Sequence, residues 1–319
     1  LTEVFGPVLG LMTARTLGEA IELQNATAYG LTGGLHSLDE REIESWLEQV
    51  EVGNAYVNRH TTGAIVRRQS FGGWKASVMG PGAKAGGPNY VAQFGAWRPT
   101  GMPQRLGDAD VPTRQALKGM LPLLAERADR TWLRAAVGSD AHAIETEFGR
   151  SVDESGLVVE SNVFRYRNFP RVWLRTAPGA RVVELLRMVL AGVATGTPVR
   201  VSLDPQTSAW LKGLDGRDDD TSAALRVLGP YVDRAETAEQ FVARVDRDEV
   251  AGRIRLIGED PELLRELGGA GDGVTVFAGP VLATGRRELL IMLREQAVSR
   301  TRHRFGHVPG TKAGSHPTP

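Results

Sequence analysis

Cysteine is absent from the 319 residues of this chain. Disulfide bonds, thiolate metal sites and a cysteine nucleophile are therefore excluded within the sequence, because each of them requires a thiol. Any reaction in which a thiolate attacks a substrate would need its cysteine from elsewhere in the protein.

Net charge and long apolar runs are also lacking. Lysine and arginine number 38, aspartate and glutamate number 38, and the formal net charge is +0. A balanced charge gives no general attraction to nucleic acid or to an anionic membrane. The longest apolar patch, 182–194, is interrupted by Glu184 and Arg187, so we predict a buried or amphipathic helix there and no transmembrane segment. No signal-peptide pattern opens the sequence, and we expect a cytoplasmic location.

The apolar pattern predicts an α/β chain. Hydrophobic residues make up 41%, which is enough for a packed core, and the length of 319 residues suggests two domains. In its first part we predict a strand at 8–13, a helix at 17–25, a helix from 37 to 50 and a strand at 55–57. Residues 99–113 contain several prolines and glycines and are predicted to be a linker, and 113–148 are predicted to be largely helical.

The second half shows strands that alternate with short helices. The predicted strands are 158–166, 172–176, 198–203, a short one near Arg226, 252–257 and 274–277, and the predicted helices begin at 180, 205, 235 and 261. This alternation predicts a parallel, doubly wound, Rossmann-like sheet. The glycine-rich run 268–273 follows a predicted helix and precedes a strand, which is the wrong context for a phosphate loop.

The first candidate site is the run Glu3-Val4-Phe5-Gly6-Pro7-Val8. A carboxylate can accept hydrogen bonds from both hydroxyls of a sugar diol. In an extended run Phe5 points to the same side as Glu3, because strand side chains alternate. Together they would suit a nucleotide cofactor, although the spacing alone is more typical of a surface Glu beside a core Phe.

Further blocks follow in order along the sequence. They are Tyr29-Gly30-Leu31-Thr32-Gly33-Gly34-Leu35, Gly53-Asn54-Ala55-Tyr56-Val57-Asn58-Arg59, Phe71-Gly72-Gly73-Trp74-Lys75-Ala76-Ser77 and Lys84-Ala85-Gly86-Gly87-Pro88-Asn89-Tyr90. With the E-x-F-G-P-V run, these blocks resemble the aldehyde dehydrogenase superfamily. The K-A-G-G-P block is similar to the glutamate semialdehyde (1-pyrroline-5-carboxylate) dehydrogenase branch, which includes the bifunctional proline utilization A proteins. Ser70 replaces the usual Pro of Q-P-F-G-G, and Val78 stands where many members have Gly.

The resemblance implies NAD as the cofactor, with Glu3 on the nicotinamide ribose and Phe5 against the nicotinamide. It also implies a nucleophilic Cys before the E-x-F-G-P block. We therefore expect this chain to be the C-terminal piece of a longer protein, joined to a missing N-terminal part, and to be inactive alone. The loop at Thr61, Thr62 and Gly63 is expected near the active-site mouth, and homo-oligomer formation is open.

The second candidate site is the stretch from Lys84 to Phe94. Consecutive glycines let successive backbone amides point at one anion, so Gly86 and Gly87 could hold the far carboxylate of glutamate semialdehyde. Phe94 could then cover the aliphatic middle of the substrate. The alternative is an ordinary Gly-Pro surface turn, but similar proteins anchor the substrate with this loop, which favours the functional interpretation. Lys84 could add electrostatic attraction for the carboxylate, but we expect it to be exposed and simply solvated.

No metal site is expected. His303 and His307 have i, i+4 spacing, but Gly306 and Pro309 argue against a helix there and no third ligand is evident. The acidic run 218–220 is expected to be a solvated loop.

The second half also resembles the C-terminal aldehyde-dehydrogenase-superfamily-like domain of longer proline utilization A proteins, which has no chemistry of its own. The residues that carry this likeness are Asn162-Val163-Phe164-Arg165-Tyr166 and Leu293-Arg294-Glu295-Gln296-Ala297-Val298-Ser299. We therefore predict α/β architecture: 1–98, the C-terminal part of an aldehyde dehydrogenase catalytic unit; 99–155, a linker and helical segment; and 156–319, a Rossmann-like doubly wound domain.

The expected function is NAD-dependent oxidation of L-glutamate γ-semialdehyde to L-glutamate in proline catabolism. In that family a Cys thiolate adds to the aldehyde, hydride passes to the nicotinamide, and water hydrolyses the resulting thioester. This chain would supply no catalytic residue of its own. The alternatives are a non-catalytic structural or assembly module, which the absent Cys favours, and a dehydrogenase for another aldehyde.

Overall fold

The computed structural model describes residues 6–269 and 273–303. Their helices are α1 Leu17–Asn25, α2 Glu40–Gln49, α3 Val111–Met120, α4 Arg127–Ala143, α5 Val182–Thr195, α6 Pro205–Lys212, α7 Asp219–Leu228, α8 Ala238–Val245, α9 Pro261–Gly269 and α10 Gly285–Met292. Their strands are β1 Tyr29–Gly30, β2 Thr32–Leu35, β3 Asn54–Val57, β4 Trp74–Lys75, β5 Glu160–Asn168, β6 Val172–Thr176, β7 Val199–Leu203, β8 Val232–Ala235, β9 Gly252–Ile257, β10 Val274–Phe277 and β11 Leu293–Thr301. None of the helices in these residues is both long and apolar enough to cross a membrane.

The predicted doubly wound sheet is confirmed. Its strand order is β10-β9-β6-β7-β8, and all neighbouring strands are parallel. The chain builds outward from β6 through α5, β7 and β8, then returns to the other side of β6 for β9 and β10. Parallel strands need crossover connections of about a dozen residues or more, and here the helices between the strands supply them.

The core of this half is built around α5. Val183 and all residues from Leu185 to Gly192 are buried, and the helix packs against α3, α4 and α10. Gly196 ends the helix in the left-handed conformation, with φ of 71°. Each fully buried Leu or Val contributes about 1.5–3 kcal/mol, so this apolar helix is a main source of stability.

A second sheet joins the two ends of the chain. Its order is β2-β3-β11-β5. Strand β11 runs parallel to β3, with Ala297 opposite Asn54, and antiparallel to β5 along its whole length. Strands from the predicted first and last domains therefore share one sheet, and the domain boundaries themselves stay a prediction.

Some of the predicted helices and strands are confirmed, and others are wrong. Helix α1 and strands β9 and β10 have the predicted bounds. The predicted strand at 8–13 is wrong, because these residues have no regular structure and are exposed. The strand near Arg226 is also wrong, because that residue lies in α7.

The acidic run 218–220 has a structural role. Asp218 is the N-cap of α7 and accepts a hydrogen bond from the amide of Thr221 at 2.7 Å. Asp219 and Asp220 occupy the first turn, where negative charge favours the helix dipole. Within the described ranges no group of three acidic, histidine or cysteine side chains could hold a metal ion. His307, of the predicted histidine pair, lies outside them.

Candidate active-site segment

The loop from Lys84 to Asn89 is held against the segment that precedes it. The amide of Ala85 donates to the carbonyl of Phe71 at 2.8 Å, and the reverse bond measures 3.0 Å. The carbonyl of Gly86 accepts hydrogen bonds from the amide of Arg67 and the hydroxyl of Ser70, both at 3.0 Å. The loop therefore has a defined conformation.

Glycine is required at position 86. Gly86 has φ of +73°, and an added Cβ would lie 2.9 Å from the Cα of Val66. Other residues rarely adopt this backbone region, and the space is already filled. The glycine thus lets the loop pass close to the neighbouring backbone.

The two predicted anion-binding amides differ. The amide of Gly87 donates to the carbonyl of Lys84 at 2.9 Å, which closes a turn. The amide of Gly86 has no acceptor among the part of the chain that the structure describes. In this conformation the loop offers an anion the amide of Gly86, while that of Gly87 is already used.

Phe94 lies just after the loop, in a short 3₁₀ helix, Val91–Phe94. Its side chain is 74% exposed. Its ring meets that of Tyr90 edge-on, with the centroids 5.5 Å apart. The ring is therefore accessible to a ligand or to another part of the protein.

The expectation that Lys84 is solvated is wrong. Its side chain is 1% exposed, and its Nζ donates to Asn54 Oδ1 at 2.9 Å and to the carbonyl of Gly72. Burial lowers the pKa of Lys84 to about 7, since the charged form loses its hydration. A lysine that titrates near neutral pH therefore lies beneath the loop.

Glu295, on β11, holds both ends of the loop. Its Oε2 accepts a hydrogen bond from the backbone amide of Lys84, and its Oε1 accepts one from Asn89 Nδ2, both at 2.6 Å. Burial raises the pKa of Glu295, while these two donors and the charge of Lys84 lower it. Little in the sequence indicates this role, except that Glu295 stands in a mostly buried strand.

A cavity of about 350 Å³ lies beside the loop. One wall comes from the residues that flank the loop, including Pro81, Asn89 and Trp97. The other comes from the second half of the chain, including Arg253 and Glu295. The loop thus borders a space shared by both halves.

Of the other predicted residues, two are not described by the structure and three lie on the surface. Glu3 and Phe5 lie outside the described residues, so their cofactor contacts stay predictions. Thr61, Thr62 and Gly63 are exposed, and the carbonyl of Gly63 accepts the hydroxyl of Tyr56 at 3.0 Å.

Comparison with known proteins finds relatives of both parts of the chain. Residues 1–98 match the model of the aldehyde dehydrogenase family. The chain is 47% identical over 90 residues to 1-pyrroline-5-carboxylate dehydrogenase 2 of Halalkalibacterium halodurans, which covers 28% of this chain and 17% of that protein. It is 32% identical over 214 residues to the bifunctional protein PutA of Rhizobium meliloti, which covers 66% of this chain and 16% of that protein.

A solved structure covers nearly the whole chain. It is proline utilization A (PutA) from Corynebacterium freiburgense, with a TM-score of 0.70 and 41% identity, over 95% of this chain and 26% of that one. This chain spans only a small part of the relatives that it matches. The resemblance read from the sequence is confirmed: the chain belongs to the aldehyde dehydrogenase superfamily, in its 1-pyrroline-5-carboxylate dehydrogenase branch, and is PutA-like.

Proposed function

We propose that the polypeptide containing this chain oxidises L-glutamate γ-semialdehyde to L-glutamate, with NAD, as a step of proline catabolism. The observation that carries the proposal is the 47% identity of the first part of the chain to a protein named 1-pyrroline-5-carboxylate dehydrogenase. The K-A-G-G-P loop lies within the part that matches the family, and buried contacts hold it in place.

The chain would bind and position, and it would not form the covalent intermediate. It has no cysteine, so the thiolate must come from another part of the polypeptide. NAD supplies the hydride acceptor when it is bound. Glu3 would hold its ribose and Phe5 would lie against its nicotinamide. The use of NAD and a cytoplasmic location rest on the resemblance and the sequence.

The substrate's carboxylate is the part that this chain would recognise. The amide of Gly86 points to no protein acceptor in the described residues, so it can donate to an anion, with Gly87 allowing close approach. Phe94 would cover the methylene groups of the substrate with its exposed ring. The same loop would contact an aldehyde without a carboxylate only weakly.

Phe94→Ala tests this assignment in the native polypeptide. We expect the KM for glutamate semialdehyde to rise roughly tenfold, the equivalent of about 1.4 kcal/mol of lost apolar contact. Val91→Ala is the matched control, because Val91 lies in the same short helix and is 81% exposed. Equal KM values for the two variants would contradict the role of Phe94.

The second candidate is a non-catalytic assembly module. The missing cysteine favours it, and so do the exposed apolar side chains of Val8, Leu9, Leu11 and Met12, which would suit a partner surface. The native polypeptide separates the two candidates, because a pure module would oxidise no aldehyde. Turnover of several other aldehydes at equal rates would instead favour a dehydrogenase of different specificity.

A further inference from the structure

Asn89 ends the loop, and its side chain is used completely. It is 3% exposed. Its Nδ2 donates to Glu295 Oε1 at 2.6 Å and to the hydroxyl of Tyr166 at 2.9 Å, and its Oδ1 accepts from Arg286 Nη2 at 2.7 Å. A side-chain amide has two donor hydrogens and one acceptor oxygen, so each group has a partner.

These partners are connected to one another. The hydroxyl of Tyr166 donates to Glu147 Oε1 at 2.8 Å, and Glu147 Oε2 forms an ion pair with Arg286. Asn89, Tyr166, Glu147 and Arg286 therefore form a closed ring of polar contacts. Burial and the charge of Glu147 raise the pKa of Tyr166, so its hydroxyl keeps the proton that it donates.

Aromatic packing fixes the geometry of this closed ring of polar contacts. Phe148 meets the ring of Tyr166 edge-on at 4.8 Å, and the guanidinium of Arg286 lies 5.4 Å from the centre of the same Phe148. Such contacts limit the side-chain rotamers of Tyr166 and Arg286. Asn89 consequently meets partners that are already positioned.

Every partner comes from residues 147–295. Glu147 follows α4, Tyr166 lies on β5, Arg286 on α10 and Glu295 on β11. All of them lie beyond the segment 1–98 that matches the aldehyde dehydrogenase family. The side chain of Asn89, at the end of the family-matched loop, is thus held entirely by residues outside the match.

Glu295 completes the arrangement, because its two oxygens bind the two ends of the loop. One oxygen accepts the amide of Lys84 and the other accepts Asn89 Nδ2. Gly86 and Gly87 lie between these two fixed points. A change at Asn89 would release one end and leave the other attached.

We propose that Asn89 is a positioning residue for recognition of the substrate carboxylate, and that Glu295 Oε1 and the ring of Tyr166, Glu147 and Arg286 act on the loop through it. This inference rests on the proposed function of the loop. Asn89 itself makes no contact with the aldehyde group. Its loss should therefore affect binding of a carboxylate-bearing aldehyde more than turnover.

The first variant is Asn89→Asp in the native polypeptide. It keeps the size of the side chain but places a carboxylate opposite Glu295 in place of a donor. We expect the KM for glutamate semialdehyde to rise by about tenfold or more, from the loss of hydrogen bonds to a charged partner. The kcat for glutamate semialdehyde should stay close to wild type. The kcat/KM for an uncharged aldehyde of the same chain length should also stay close to wild type. Hydrogen exchange of the amides in residues 84–90 should become faster.

The matched control is Asn168→Asp. It makes the same change of amide to carboxylate at the exposed end of β5, outside the candidate site, where the side chain of Asn168 forms no hydrogen bond with the described residues. It should leave the KM and the exchange in 84–90 unchanged. Tyr166→Phe is the second variant, in case Asn89→Asp does not fold. It removes only the hydroxyl and keeps the aromatic packing, so we expect the same selective rise in KM, about threefold.

The possible results are distinct. Faster exchange in 84–90 with a carboxylate-selective rise in KM supports the proposal. Unchanged exchange, or an equal loss of activity on both aldehydes, overturns it. If the wild-type polypeptide oxidises no aldehyde, the proposed function fails, and unaltered exchange in Asn89→Asp would still be needed to reject positioning of the loop by Asn89.

Discussion

The backbone amide of Lys84 donates a 2.6 Å hydrogen bond to the carboxylate of Glu295, which follows it by 211 positions in the sequence. This contact joins the last motif of the aldehyde dehydrogenase segment to the last strand, β11. It explains how residues from the two ends of the chain form one structural unit around the loop.

Glu295→Gln should destabilise the chain. A carboxamide has one acceptor oxygen, so its NH₂ group would face either the amide of Lys84 or Asn89 Nδ2, and one buried donor would lose its acceptor. We expect a loss of about 1–3 kcal/mol in the free energy of unfolding, measured by urea titration. Glu262→Gln, at an exposed position of α9, is the control. Equal midpoints for both variants would contradict the bridging role of Glu295.

Lys84 should make stability depend on pH. Its pKa is about 7 in the folded chain, whereas an ordinary lysine, as in the unfolded chain, has a pKa of 10.5. Between these two pH values the unfolded chain therefore binds more protons than the folded chain. Stability should therefore rise with pH across this window, by about 1.4 kcal/mol for each unit of pKa difference. Below about pH 7 both states are protonated, and the contribution of Lys84 no longer changes.

Lys84→Met tests this by removing the titrating group. The difference in the free energy of unfolding between about pH 7 and about pH 9.5 should be smaller in the variant than in wild type. Lys118→Met, at an exposed position of α3, should keep the wild-type difference. Identical pH dependence in wild type and Lys84→Met would disprove the assignment.

Asp140 and Arg187 form a buried ion pair between α4 and α5. Two parallel hydrogen bonds of 2.7 Å join them, and their side chains are 1% and 0% exposed. Asp140→Ala should cost about 3–5 kcal/mol, because it leaves a buried guanidinium without its partner. The double change Asp140→Leu with Arg187→Met should recover much of that loss.

Asp129→Ala is the control for this pair. Asp129 lies on the same helix, and its partner Arg181 is 61% exposed. An exposed pair is worth at most about 1 kcal/mol, so this variant should unfold close to wild type. A similar loss in the free energy of unfolding for Asp129→Ala and Asp140→Ala would contradict the larger contribution expected from the buried pair of Asp140 and Arg187.

Gly53 and Gly268 should respond to alanine in opposite directions. A Cβ on Gly53 would lie 2.0 Å from the carbonyl oxygen of Gly72, whereas one on Gly268 meets nothing within 4 Å. Gly53→Ala should therefore lower the free energy of unfolding by about 1–3 kcal/mol or more. Gly268→Ala, within α9, should gain about 0.5–1 kcal/mol. Thermal unfolding of the two variants compares them directly, and a stabilising Gly53→Ala would contradict the described packing.

The doubly wound half could be predicted because its signals are local. Buried runs such as Gly252–Ile257 stand between turn residues, and each strand is followed by an amphipathic helix. The strand near Arg226 was predicted wrongly, because a short apolar run fits a helix as well as a strand. In α7 the buried residues Thr221, Ala224 and Leu228 follow the helical period.

The supports of the candidate site could not be predicted in the same way. The burial of Lys84 depends on Asn54, Gly72 and β11, which lie 30, 12 and 211 positions away in the sequence, so no local pattern brings them together. Nothing near Lys84 marks it as buried. The likeness to a family identified the loop, but the roles of Asn89 and Glu295 became visible only in three dimensions.

The most direct test of the central claim is NADH formation by the native polypeptide that contains this chain. We predict that it oxidises glutamate semialdehyde with a much higher kcat/KM than an uncharged aldehyde of the same length, and that the isolated chain forms no NADH. Equal kcat/KM values for the two aldehydes, or no NADH from the native polypeptide, would contradict the account.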